Sequence, residues 1–181
     1  TISEPDVIYF TATFSDVRCH SGSDGRAWVD TIWGGAGHPY SYTWVNSNSD
    51  TISQLYEATN LIAGTYTVSV TDIYSCASNP QSVSVTINEP TPLVSTTTII
   101  NHSSCAGSQT AANGEAQVIA SGGTPGYSYS WTSPPNPLWT NNGMWLNGFS
   151  ATVANISLLM PGTYYATIVD DTGCIHYDTA V

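Results

Sequence analysis

The sequence predicts an all-β chain built as two tandem β-sandwich domains. Three observations carry this. Thr, Ser, Val and Tyr dominate while helix formers are scarce, polar and apolar residues alternate with a period of two, and the chain repeats itself after about 90 residues. The 15 Gly and 10 Pro punctuate the chain as turns between short strands would require.

The strands follow in order. Strand A is read at Val7–Phe14, where Ile8, Phe10, Ala12 and Phe14 share one face and Thr11 and Thr13 the other. Strand B is Arg26–Ile32 and strand C is Tyr40–Trp44, with Tyr42 and Trp44 facing the core. Strands D and E precede Leu61. Strand F is Thr65–Asp72, where Tyr66, Val68 and Val70 alternate with Thr and Ser, and strand G is Gln81–Ile87. The second set is Leu93–Ile100, Glu115–Ala120, Tyr127–Trp131, a D–E pair before Leu158, and Thr163–Asp170, with strand G running out at Val181. About seven strands per repeat is the count of a sandwich. Tyr66 and Tyr164 take the place of a strand F tyrosine, and packing is the expected role of all these rings.

The repeat fixes the domains. Thr1-Ile2-Ser3-Glu4-Pro5 recurs as Thr86-Ile87-Asn88-Glu89-Pro90. Gly34-Gly35 before Tyr40-Ser41-Tyr42-Thr43-Trp44 recurs as Gly122-Gly123 before Tyr127-Ser128-Tyr129-Ser130-Trp131. Gly64-Thr65-Tyr66 with Asp72 and Cys76 recurs as Gly162-Thr163-Tyr164 with Asp170 and Cys174. Domains 1–85 and 86–181 follow, joined by a short Pro-containing junction that favours a semi-rigid rod. Val181 leads back into Thr1-Ile2 in phase, so a longer parent array is expected.

Charge narrows the function. Thirteen acidic residues face two basic ones, Arg18 and Arg26, for a net charge of −11. Nucleic acid and anionic membrane surfaces are excluded as partners, because both need a basic patch. No apolar run is long enough to cross a bilayer as a helix. No nucleophile elbow, zinc-protease, P-loop or dinucleotide motif is present, so no enzyme is expected.

These anchors resemble the repeats of the SprB gliding adhesins of Bacteroidota. The first repeat carries the pattern through Cys19, Gly22, Gly25, Ala27, Val29, Gly34, Gly35, Pro39, Tyr40, Tyr42, Trp44, Leu61, Gly64, Tyr66, Val68, Val70, Asp72 and Cys76. The second carries it through Cys105, Gly107, Gly114, Ala116, Val118, Gly122, Gly123, Tyr127, Tyr129, Trp131, Gly162, Tyr164, Asp170, Gly173 and Cys174, departing at Gly126, Ala166 and Ile168. The resemblance implies immunoglobulin-like domains of a large, secreted, surface-displayed protein serving attachment or gliding.

In that extracellular setting disulfides are the default, as Cys19–Cys76 and Cys105–Cys174. Their geometry is awkward, since the end of strand A and the F–G turn lie at opposite ends of a plain sandwich. No Cys pair has zinc spacing, and His20, His38, His102 and His176 do not cluster in sequence. Asp24, Asp72, Asp170 and Asp171 near turns are weak candidates for calcium. The resemblance also makes Thr31, Thr51 and Thr179 candidate O-glycosylation sites, each following an Asp. Asn101 and Asn155 fit the N-glycosylation triplet.

The second repeat is longer because of a C–E excursion at about 132–157 that contains Trp139, Met144, Trp145 and Phe149. It reads as an extra hairpin, a contact surface for a neighbour, or a platform on which Trp139 or Trp145 stacks on a sugar. The expected function is a structural segment of an extracellular filament or repetitive adhesin, its partners being neighbouring repeats or identical subunits. The alternatives are a carbohydrate-binding module for surface glycans and a subunit of a strand-exchanged fibre.

Overall fold

The computed structural model describes residues 5–102, 113–133, 153–159 and 161–181. The chain divides into two compact units, Thr1–Pro90 and Thr91–Val181. The boundary falls after Pro90 rather than after residue 85, because the last strand of the first unit keeps its pairing as far as Ile87.

The first unit has seven strands: β1 Asp6–Ser15, β2 Gly25–Gly35, β3 Ser41–Val45, β4 Thr51–Ser53, β5 Glu57–Leu61, β6 Gly64–Thr71 and β7 Ala77–Ile87. They form two antiparallel sheets, β1-β2-β5 and β4-β3-β6-β7. One core joins them, with Phe10, Val29 and Leu61 from the first sheet against Trp44, Val68 and Val85 from the second. Rings and branched side chains at alternate positions make this core continuous.

A constant-type immunoglobulin domain pairs its fourth strand with A, B and E. Here β4 pairs with β3 instead. The cause is local. Asn46 Oδ1 accepts hydrogen bonds from the Asn48 and Asp50 backbone N–H groups at 2.9 and 3.0 Å, closing a tight hairpin that returns the chain beside β3. Only after Ser53, whose hydroxyl donates to the Glu57 carbonyl at 2.7 Å, does the chain cross to β5.

One expectation for β1 needs correction. Ile8 and Phe10 are buried, but Phe14 is 39% exposed. It lies near the end of the strand, beyond a register shift between Thr11 and Ala12. Beyond it, the Val17 backbone N–H donates to the Asn88 carbonyl at 3.0 Å, and the Asn88 N–H donates to Asp16 Oδ1 at 2.7 Å. These bonds tie the edge of one sheet to the edge of the other, which protects both edges. The Tyr66 hydroxyl donates to the Ile62 carbonyl at 3.0 Å, the tyrosine corner of such sandwiches.

The second unit has β8 Val94–Asn101, β9 Gly114–Ser121, β10 Ser128–Thr132, β11 Asn155–Leu159, β12 Tyr164–Val169 and β13 Ile175–Ala180. Its sheets are β11-β9-β8 and β10-β12-β13, around a core centred on Val118, Trp131, Ile156 and Ile168. The Ser95 hydroxyl on β8 donates to Asp178 on β13 at 2.7 Å, again joining the two sheets. Most of the 132–157 excursion, with Trp139, Met144, Trp145 and Phe149, lies outside the described residues.

Trp44 and Trp131 are equivalent and both have no exposed surface. They differ in one atom's surroundings. Trp131 Nε1 donates to the Val153 carbonyl at 3.0 Å, whereas Trp44 Nε1 is buried with no partner among the described residues. Phenylalanine at either position loses similar volume, but only Trp131→Phe breaks a hydrogen bond. Equilibrium unfolding should show Trp131→Phe costing about 1 kcal/mol more than Trp44→Phe. Equal losses would mean that the bond contributes nothing net.

Candidate functional site

Each unit carries the same buried knot at one end of its sandwich. In the first unit Asp72 follows β6 and is buried. Its Oδ1 accepts from the Tyr74 and Cys76 N–H groups at 2.9 and 3.0 Å, and its Oδ2 accepts from the Ala36 N–H at 3.0 Å. One carboxylate thus holds both the β6–β7 turn and the turn after β2.

In the second unit Asp170 does the same. Its Oδ1 accepts from the Thr172 N–H, the Thr172 hydroxyl and the Cys174 N–H at 3.0, 2.9 and 2.9 Å, and its Oδ2 accepts from the Thr124 N–H at 2.9 Å.

The double glycines belong to this knot. Gly34 and Gly122 have φ of 87° and 74°, and a Cβ on either would run into the carbonyl oxygen of Val7 or Pro92. Their own carbonyls accept from the Tyr40 and Tyr127 hydroxyls at 2.7 and 2.6 Å. Gly-Gly, the following Tyr, the strand F Asp and the Cys four residues after it are one structural device, built twice.

Hydrogen bonding governs the charge of both aspartates. The Ala36 N–H and then the Cys76 N–H hold the Asp72 carboxyl below its usual range, against a smaller opposing effect of burial. For Asp170 burial is the largest single influence and raises the value. The N–H donors of Thr124 and Cys174, with Thr172, together outweigh it and leave the carboxyl lowered.

Three of the four weak calcium candidates, Asp24, Asp72 and Asp170, have their carboxylate oxygens on other donors. The oxygens of Asp72 and Asp170 face N–H donors rather than space for a cation. Asp24 takes the Arg18 side chain and N–H, whose bonds lower its carboxyl, and Asp171 is exposed. Among the described residues no three His, Cys, Asp or Glu side chains converge.

The Cys19–Cys76 pairing is also corrected. Cys19 lies where β7 ends, beside His20, whose Nδ1 is 3.2 Å from Glu89. Cys76 lies where β7 begins, and the 11 residues of Ala77–Ile87 separate the two ends. That is roughly 30 Å of strand, while a disulfide needs Cα atoms within about 7 Å. The Cys76 thiol instead hydrogen-bonds the Asp72 carboxylate. Cys105 lies outside the described residues.

Thr31, Thr51 and Thr179 are all exposed, as modification would require. Thr31 also belongs to a surface strip that the alternation pointed to without its being singled out. On the outer face of β1 and β2, Tyr9 stands opposite Trp33, Thr11 opposite Thr31 and Thr13 opposite Trp28. Tyr9 and Trp33 are 43% and 53% exposed and stack at 5.9 Å, and Arg26 lies over the Trp28 ring.

Residues 97–136 match the SprB repeat. This family match covers β9, β10 and the second double glycine, with Thr124 and Tyr127 of the knot but not Asp170 or Cys174. No curated protein matches the chain. Among solved structures it is similar to an amphioxus IgVJ-C2 molecule, at 17% identity over 88% of this chain and 96% of that one, with a TM-score of 0.36. It is also similar to the C-terminal 282-residue fragment of intimin in complex with the intimin-binding domain of its translocated receptor, at 16% identity and a TM-score of 0.45. That match covers 96% of this chain and 62% of the fragment's length. DIP-gamma IG1+IG2 gives 12% identity over 96% and 95%, with a TM-score of 0.36.

The lowered carboxyls set a pH dependence. A carboxyl depressed in the folded state contributes stability that is present above its unfolded value, about 3.9, and is lost as pH falls through the lower folded value. Acid unfolding should therefore steepen below about pH 4. Asp72→Asn and Asp170→Asn should each lower stability at pH 7 and flatten that acid limb. An unchanged acid limb in both variants would assign the sensitivity to other carboxylates.

Proposed function

We propose that the chain is a structural segment of a repetitive bacterial surface adhesin or extracellular filament, serving attachment. The observation that carries this reading is the SprB repeat match, lying within one of two immunoglobulin-like sandwiches that share the same buried knot. The knot has the features of a mechanical part rather than of a reaction centre. Its polar groups are satisfied internally and tie both turns at one end of each sandwich. The reading places the chain outside the cell, with O-glycans on Thr31, Thr51 and Thr179, and treats it as non-enzymatic.

The scarcity of trypsin sites supports the same role. The chain offers trypsin two sites, Arg18 and Arg26, and these are ion-paired with Asp24 and Glu57. An antibody against the chain should label unpermeabilised cells, and the signal should survive a trypsin treatment that strips lysine-rich surface proteins. Labelling only after permeabilisation would defeat the reading.

A second reading, carbohydrate contact, is favoured by the Tyr9–Trp33 pair beside a row of threonine hydroxyls. Aromatic faces stack on sugar rings while hydroxyls bond their edges. Retention of the chain on immobilised cell-surface polysaccharide should fall on Trp33→Ala with no change in melting temperature. If the unaltered chain is not retained, this reading is wrong.

A further inference from the structure

The internal repeat separates side chains that the fold needs from side chains that it does not. Both units keep the same rungs on the outer face of their first two strands. In the first unit these are Tyr9–Trp33, Thr11–Thr31 and Thr13–Trp28. In the second the matching rungs are Val94–Ser121, Thr96–Ile119 and Thr98–Gln117. The second sandwich forms with no aromatic ring on any of these rungs, so Tyr9, Trp28 and Trp33 are not a condition of the fold.

The backbone departs at the same place. In the first unit Thr11 pairs with Thr31 but Ala12 pairs with Val29, which leaves Asp30 as an extra, exposed residue beside the row. The matching rungs of β8 and β9 run on without a shift. Such bulges re-aim side chains and gather next to sites. The Tyr9 and Trp33 rings lie within 22° of parallel. The Thr11 and Thr31 hydroxyl oxygens are 2.5 Å apart. One hydroxyl donates to the other, so the second hydrogen and the spare lone pairs of both oxygens can serve a ligand. At the far end Trp28 is half-buried, with Arg26 over its ring and ion-paired with Glu57. From Tyr9 to Thr13 the row runs roughly 13 Å along the strand, longer than one sugar ring.

We propose that this face binds a linear, uncharged polysaccharide laid along the strands. One sugar ring lies on the Tyr9–Trp33 pair, the Thr11 and Thr31 hydroxyls bond the hydroxyls of the next, and the polymer runs on to Trp28. The inference rests on the carbohydrate reading above and deepens it, naming the charge of the polymer and the rungs it crosses. Charge selects the ligand. Of the two arginines only Arg26 lies on this sheet, and Glu57 already neutralises it, while Asp30 is exposed beside the row. With a net charge of −11 on the whole chain, uronate and sulfated polymers are repelled. The Thr31 hydroxyl has to be unmodified, which leaves the O-glycans to Thr51 and Thr179.

Columns of immobilised neutral glucan, mannan and xylan, beside one of polyuronate, test this with the whole 181-residue chain. The unaltered chain should be retained on a neutral polymer and should pass through the polyuronate at low salt. An oligosaccharide of the retaining polymer should elute it, and the corresponding monosaccharide should not. Thr31→Val removes a hydroxyl but keeps the branched shape, and Trp28→Ala removes the far ring. Each should weaken retention about tenfold, with a cooperative melt confirming that the variant is folded.

Equal retention on polyuronate overturns the proposal, as does undiminished retention of both variants or elution by the monosaccharide. The carbohydrate reading survives those results if Trp33→Ala still abolishes retention. An unaltered chain that no column retains defeats both. Concentration-dependent sedimentation that Trp33→Ala removes would assign the face to a second copy of the chain, and a native chain with a sugar on Thr31 would find the row already occupied. Either result overturns the proposal.

Discussion

A buried carboxylate just after the next-to-last strand organises each sandwich. A charge out of water is costly unless every lone pair is met, and here the N–H groups of two separate turns meet them. The constraint runs outward from that point. The carboxylate must reach the turn after the second strand, so that turn passes close to the first strand's carbonyl, and only glycine fits. The glycine carbonyl then accepts the tyrosine hydroxyl, which fixes the entry to the third strand. Four sequence anchors that look independent are consequences of one ion.

This explains why the fold was legible in the sequence and part of the site was not. Alternation in Tyr66–Val70 and at Tyr42 and Trp44 reports burial directly, because a strand has only two faces. The repeat doubled every such signal. The pairing of Cys19 with Cys76 had matching positions in its favour, but position in a repeat says nothing about which end of a strand a residue occupies. Asp72 and Asp170 had the residue type of a calcium ligand and the local sequence of a turn. Only the backbone N–H groups, which sequence does not display, reveal that their valence is spent inside the fold. The side of the sandwich taken by β4 was equally hidden, since it depends on the Asn46 turn.

The two units share the knot and differ in the details around it. The first finishes its core with Val17 and Ile87, carried by segments that pass from one sheet edge to the other. The second has a tryptophan anchored by Val153, where the equivalent nitrogen of the first has no partner among the described residues. Each unit has therefore settled its buried polar groups by its own local means around the same carboxylate. Repeats of one pattern can drift this way because their stability is a sum of many small contributions, provided the shared knot is kept.

In the first unit, closure at the end away from the knot falls to the Ile-x-Glu-Pro stretch. Ile87 is buried on the last rung of the β6–β7 ladder, and Glu89 accepts from the Ser21 N–H, so this stretch ties the segment after β1 to the end of β7. The carboxylate fixes one end of the sandwich through backbone N–H groups, and the isoleucine fixes the other through packing.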